Sequence, residues 1–244
     1  MIEPPHQRLR SVDVLRGLAI AGVVVFHLVW DLDFSGLLQS NFSHHPAWLL
    51  FGRGLASTFM VLVGVSLALA HRNTIRWRPF FKRLWIIIAA AAAISLATLV
   101  IFPDAFIYFG ILHAIATASM IGIVFVPLPA ASSVVVGIAI LVLPLFFSEP
   151  LFNTRWLAWI GFAATPPVSN DYVPIFPWVG LTLIGLGAAK ASITRGFDDW
   201  IVRHEPTGPT TTALGRAGRL SLPIYLLHQP ILLALILPTA WMLT

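Results

Sequence analysis

The first apolar stretch of this 244-residue chain carries four ionisable side chains, Asp13, Arg16, His27 and Asp31. Charge inside an apolar span is costly, so such groups are the first place to look for chemistry. Arg16 and His27 are eleven residues apart, about three helical turns, which puts them on nearly one face and roughly 16 Å apart along the axis. Asp31 stands at i+4 from His27 and is expected to reach its imidazole, select a tautomer and raise the basicity of the other ring nitrogen, as an orienting carboxylate does. Asp13, at i−3 from Arg16, can hold the guanidinium at the membrane surface. The structural alternatives are a snorkelling anchor for Arg16 and a hydrogen-bonded packing role for His27.

Two further histidines fall within apolar runs. His113 is expected seven residues into its span and His228 nine residues past Arg219, depths of roughly 10 and 13 Å from opposite ends. His27, His113 and His228 then share a layer and can line one cavity. No helix carries two histidines at ligand spacing, so neither a metal nor a haem is expected. His44 and His45 lie in a loop just before Trp48, where a near-neutral imidazole suits general-base work but is as often simply solvated. Asp171, with Pro174 and Pro177, opens the run that contains Trp178, a helix start with an interfacial tryptophan.

The elements that must position these groups follow from composition. Apolar residues make up 58% and charged residues 10% of the chain, and there is no cysteine. So little charge cannot cover a soluble surface, and thiolate catalysis, disulfides and cysteine metal sites are excluded. Candidate spans are 14–32, 48–70, 84–102, 106–126, 130–147, 173–189 and 220–243, each near the length that crosses a bilayer. The run 156–162 is too short and reads as interfacial or re-entrant. The first span lacks a small-x-small cleavage site and reads as an uncleaved signal anchor. The fold class expected is an all-α polytopic helical bundle of about seven transmembrane helices, one domain over 1–244.

Placing the N-terminus in the cytoplasm puts Arg8, Arg10, Arg16, Arg72, Arg76, Arg78, Lys82, Arg83, Lys190, Arg195, Arg203, Arg216 and Arg219 inside, 13 of the 15 Lys and Arg residues. Only Arg53 and Arg155 fall outside, as the positive-inside rule requires. Membrane topology, not nucleic acid, therefore accounts for the net charge of +5. The inner loop 191–219 contains a Gly-, Pro- and Thr-rich stretch at 205–212, the composition of a flexible linker. There is no internal repeat of the kind transporters carry.

The runs SVDVLRGLAI at 11–20 and HLVWDL at 27–32 resemble the opening helix of the heparan-alpha-glucosaminide N-acetyltransferase-like catalytic domain family. The resemblance continues through LVGVS at 62–66, GILH at 110–113, DYVPIFPW at 171–178 and LSLPIYLLHQP at 220–230. It implies a membrane-embedded transferase that takes acetyl-CoA from the cytoplasm and acetylates a sugar on the far side. The spacing from Arg16 to His27 is also similar to that in related membrane O-acyltransferases, where such a histidine is thought catalytic. In the lysosomal enzyme of the family the proposed base is a loop histidine three residues before a tryptophan. His45 matches by its spacing to Trp48, with His44 beside it, and that enzyme has asparagine where this chain has His27. The resemblance thus implies a base at His27, with Asp31 as its orienter, or at the loop histidine His45, with His44 close enough to keep that assignment open.

In this reading the CoA phosphates meet Arg16, with Arg219 and Arg216 behind it. His113, His228 and Asp171 serve the carbonyl or the acceptor. The partners expected are an acyl-CoA, a sugar or glycoconjugate acceptor and the lipid bilayer, and the location a bacterial inner (plasma) membrane. Glycine-rich helix faces can pack within one chain or between copies, so a homo-oligomer stays open. The alternative from another class is a proton-coupled small-solute transporter that uses the His–Asp pair as a relay.

Overall fold

A computed structural model describes residues 9–38, 42–205 and 207–243. Arg8 and Pro206 of the linker stretch lie outside the described residues. The described residues are helical with no strands, joined by short turns and two isolated bridges. The long helices are α1 (Arg10–Phe34), α2 (Pro46–Ala70), α3 (Trp77–Ile101), α4 (Ile111–Phe125) and α5 (Ala130–Val142). After a four-residue turn of helix, α6 (Arg155–Ala158), come α7 (Ile175–Thr194), α8 (Phe197–Arg203), α9 (Pro209–Arg219) and α10 (Ser221–Leu243).

Among the described residues, α1, α2, α3, α7 and α10 are long and apolar enough to cross a membrane. At 25 residues each, α1, α2 and α3 run about 37 Å, more than the roughly 30 Å of a hydrocarbon core. Large apolar side chains such as Trp85, Val100 and Trp241 are exposed on them, which is the solvent they meet in lipid. The chain is an integral membrane protein built as a polytopic helical bundle. The fourth and fifth candidate spans are shorter than their apolar runs imply. Pro103 ends α3 at Phe102 and starts a short turn, so α4 begins at Ile111, not Phe106. Pro144 converts the end of α5 into a tighter turn at Leu143–Leu145. The run 156–162 holds only α6, with Trp156 exposed.

The chain divides into two compact units. One takes the two chain ends, up to Phe59 and from Gly196 onward; the other is Met60–Arg195. In the first, α1 packs against α9 and α10. The α1–α9 approach is backbone against backbone. A Cβ on Gly17 would stand 1.9 Å from the Leu214 carbonyl oxygen, and one on Gly218 would stand 1.8 Å from that of Asp13. Glu205 and Thr212, at the two ends of the stretch that reads as flexible by composition, are instead tied to α1. Arg10 donates to the Thr212 hydroxyl at 2.8 Å and the Ser11 amide donates to the Glu205 carboxylate at 3.0 Å. Glu205 thus satisfies a first-turn amide that the apolar residue Leu9 before α1 cannot.

In the second unit, α5 and α4 pack on α7, and α3 on α4. The end of α2 meets α7 where Gly64 faces the Thr182 carbonyl, and the Thr182 hydroxyl donates to the Met60 carbonyl at 2.9 Å. Lys190 donates to the carbonyls of Phe125, Val126 and Leu128, closing the C-terminus of α4 with a cation as the helix dipole favours.

Candidate functional site

Hydrogen bonds to backbone carbonyls, which only accept, assign the tautomers of the histidine pair in the first unit. His27 Nδ1 lies 2.9 Å from the Val23 carbonyl oxygen, and His228 Nδ1 lies 2.7 Å from that of Tyr225. Both Nδ1 atoms therefore carry the proton. His228 Nε2, 3.2 Å from His27 Nδ1, accepts from it, and the two rings meet edge to face with centroids 4.8 Å apart. What is left is the His27 Nε2 lone pair, which has no hydrogen-bond partner among the described residues. A neutral imidazole held at one nitrogen and open at the other is the arrangement of a general base.

Asp31 does not orient His27. Its Oδ1 accepts from Gln229 Nε2 at 2.8 Å, the residue that follows His228 on α10. Asp31 is only 2% exposed, and its Oδ2 and the Gln229 Oε1 are both buried without a partner among the described residues. The role expected of the carboxylate falls to the Val23 carbonyl and His228. Position i−4 was as close to His27 as i+4, and a carbonyl inside a helix is accessible to a ring that leans toward the N-terminus. His228 had a visible signal in its depth but none in sequence distance.

At the other end of α1, Arg16 and Asp13 form the expected ion pair, 3.1 Å between Nη1 and Oδ1, with both side chains largely enclosed. Arg216 and Arg219 are exposed in the last turn of α9, on either side of Gly218, which itself meets Asp13 and Gly17.

The loop histidines separate by the same reasoning. The Ser43 hydroxyl and amide both donate to Asp33 Oδ2. With its proton committed to the carboxylate, the hydroxyl accepts from His44 Nδ1 at 2.9 Å, leaving the His44 Nε2 lone pair open. His45 is the reverse case. Its Nδ1 accepts from the Ala47 amide at 3.3 Å, so its Nε2 holds the proton and is a donor. Of the two, His44 has the orientation of a base, and Asp33, which composition does not single out, supports it. Trp30 packs on His44 at 5.4 Å and Phe42 stacks on His45 at 6.1 Å, and Phe26, Trp48 and Phe51 extend this aromatic cluster, with Phe26 stacked on Trp48 at 5.6 Å.

In the second unit, His113 and Asp171 both hold the start of α4. Because α4 begins at Ile111, His113 lies in its first turn and not 10 Å into a span. Its Nδ1 accepts from the Gly110 amide at 3.2 Å, its Nε2 lies 3.3 Å from the Ser95 hydroxyl, and that hydroxyl donates to the Ile107 carbonyl at 2.6 Å. Both nitrogens are occupied. Asp171 accepts from the Ile111 amide at 2.7 Å, so it caps α4, although it precedes α7 in sequence. Replacing Asp171 by Ala is expected to cost about 1–2 kcal/mol and Asn less, read by thermal unfolding and by faster amide exchange at Ile111. Unchanged stability with lost activity would instead make it a substrate ligand. Burial pushes the Tyr108 phenol up to about 12 and Tyr172 higher still. Both stay protonated and donate, to the carbonyls of Pro167 and Ala158, which pins the loops beside this cap at neutral and alkaline pH alike.

Among the described residues no three His, Asp or Glu side chains group as a metal site. Apolar spanning helices, with a histidine pair between α1 and α10 and a paired arginine on α1, define a polytopic membrane protein that carries polar groups within its helices. Residues 8–230 match the family described as heparan-alpha-glucosaminide N-acetyltransferase, catalytic, and the chain belongs to that family. It is, accordingly, a membrane acetyltransferase in kind. No curated protein and no solved structure matches it.

Proposed function

We propose that the whole chain acts as one acyltransferase domain, which moves an acetyl group from cytoplasmic acetyl-CoA to an amino or hydroxyl group of an extracytoplasmic sugar, with His27 as general base. The carrying observation is the open Nε2 of His27, oriented through Val23 and His228, on the same helix as Arg16 and roughly 16 Å from it. That separation suits a CoA thioester, whose anionic nucleotide end stays with Arg16, Arg216 and Arg219 while the pantetheine arm runs along α1. The excess of Lys and Arg on one set of loops supports an N-terminus in the cytoplasm, and a bacterial plasma membrane is the location this implies.

In the reaction the acceptor nitrogen or oxygen attacks the thioester carbonyl as His27 Nε2 takes its proton. The tetrahedral intermediate then expels the CoA sulfur, which receives that proton from the imidazolium; one bond to the acyl carbon forms and the C–S bond breaks. Proximity and the positioned base supply most of the acceleration. The unpartnered oxygens of Asp31 and Gln229 can accept from the sugar, and the aromatic faces around His44 and His45 offer it an apolar surface.

Arg16→Gln should raise KM for acetyl-CoA about 10–100-fold while kcat changes little, measured as CoA release by protein in liposomes. An unchanged KM would remove Arg16 from the donor site.

A further inference from the structure

A cavity of about 130 Å³ opens in the second unit where α2 passes into α3. His71, Arg76 and Arg83 form its polar wall, with Phe80, Leu84 and Ser119 among the others, and none of the lining residues is acidic. His71 is 6% exposed. Its Nδ1 accepts from the Arg76 amide at 3.0 Å, so its Nε2 carries a proton, and that N–H has no acceptor among the described residues. Arg76 is also the residue before α3 and gives that helix no side-chain cap, which leaves first-turn amides and the positive end of a 25-residue helix beside the cavity.

We propose that this cavity binds a phosphate group. Two guanidinium groups, one buried imidazole N–H and an uncapped helix start supply charge and donors in the number an oxyanion accepts. The volume is well below the roughly 300–1,000 Å³ that encloses a whole drug-sized ligand, so only the phosphate and its nearest carbons enter, against Phe80 and Leu84. Burial and the charges of Arg76 and Arg83 hold the His71 imidazole below its usual range, which keeps it a neutral donor at pH 7. The proposal rests on the cavity and not on the acetyl-transfer reading. The phosphate belongs either to a nucleotide such as CoA or to a lipid headgroup, since the chemistry is shared.

Arg78 and Lys82 lie in the same basic stretch but do not line the cavity, which separates a site from diffuse surface charge. The full chain in uncharged detergent would be titrated with CoA by calorimetry and with phosphatidylglycerol by native mass spectrometry. The Arg76→Gln/Arg83→Gln double variant should lose at least about tenfold in affinity for one of the two, and Arg78→Gln/Lys82→Gln should stay within about twofold. Loss for CoA assigns the nucleotide; loss for phosphatidylglycerol assigns the headgroup. Binding of neither by wild type, no change, or equal loss in both double variants would overturn the proposal. If the first double variant does not fold, phenylglyoxal labelling of wild type decides. Protection of Arg76 and Arg83, but not Arg78, by either ligand supports the site, and its absence overturns it.

Discussion

His27→Ala should lower acetyl transfer roughly 10²–10⁴-fold, the range a positioned base contributes, with little change in KM for acetyl-CoA. The expectation rests on one atom. His27 Nε2 is the open end of a chain that runs from the Tyr225 carbonyl through His228 to His27 Nδ1. Removing His228 leaves His27 Nδ1 with the Val23 carbonyl alone, so His228→Ala should keep more activity than His27→Ala. His45→Ala should retain transfer, because its Nδ1 is occupied by the Ala47 amide. The informative rival is His44→Ala. Activity lost there and kept in His27→Ala would move the base to the loop, where Asp33 and Ser43 orient it. Each variant needs a monodisperse, folded protein for the comparison to stand.

The second large effect is structural and uses two glycines of one helix. A Cβ on Gly64 would lie 1.9 Å from the Thr182 carbonyl oxygen and 2.6 Å from the Leu186 nitrogen, whereas one on Gly54 meets nothing within 4 Å. Backbone atoms cannot move aside as a side chain can, so Gly64→Ala must force α2 and α7 apart. The cost should reach the upper end of overpacking, about 3 kcal/mol, and lower Tm by roughly 6–12 °C. Gly54→Ala should be neutral or gain up to about 1 kcal/mol through helix propensity. Equal tolerance at both positions would contradict the close α2–α7 contact. The small residues that allow helices to approach in lipid act here at named atoms.

What was legible in the sequence were features carried by local periodicity and composition. The apolar runs at 14–32, 48–70 and 220–243 have helices within two residues of most of their ends, and Arg16 with Asp13 at i−3 forms the expected pair. Depth along a helix was also readable, so His27 and His228 meet although 201 positions separate them. What was hidden depends on partners distant in the chain. Asp31 is committed to Gln229, and Asp171 caps a helix 60 residues earlier. The linker composition at 205–212 concealed the start of α9 at Pro209, because what holds that helix, the close approach of Gly218 to Asp13 on α1, lies outside the stretch and depends on a partner distant in the chain. The general base in the loop could be narrowed only with hydrogen bonds in view, since adjacent histidines differ in tautomer and not in residue type.

The most direct test is acetyl-CoA turnover by the purified full chain in liposomes, followed as free CoA in wild type and in His27→Ala. Both proteins should bind acetyl-CoA, with slow CoA release to water or to an added amino sugar in wild type alone. Folded wild type that neither binds acetyl-CoA nor releases CoA, or a His27→Ala protein as active as wild type, would contradict this.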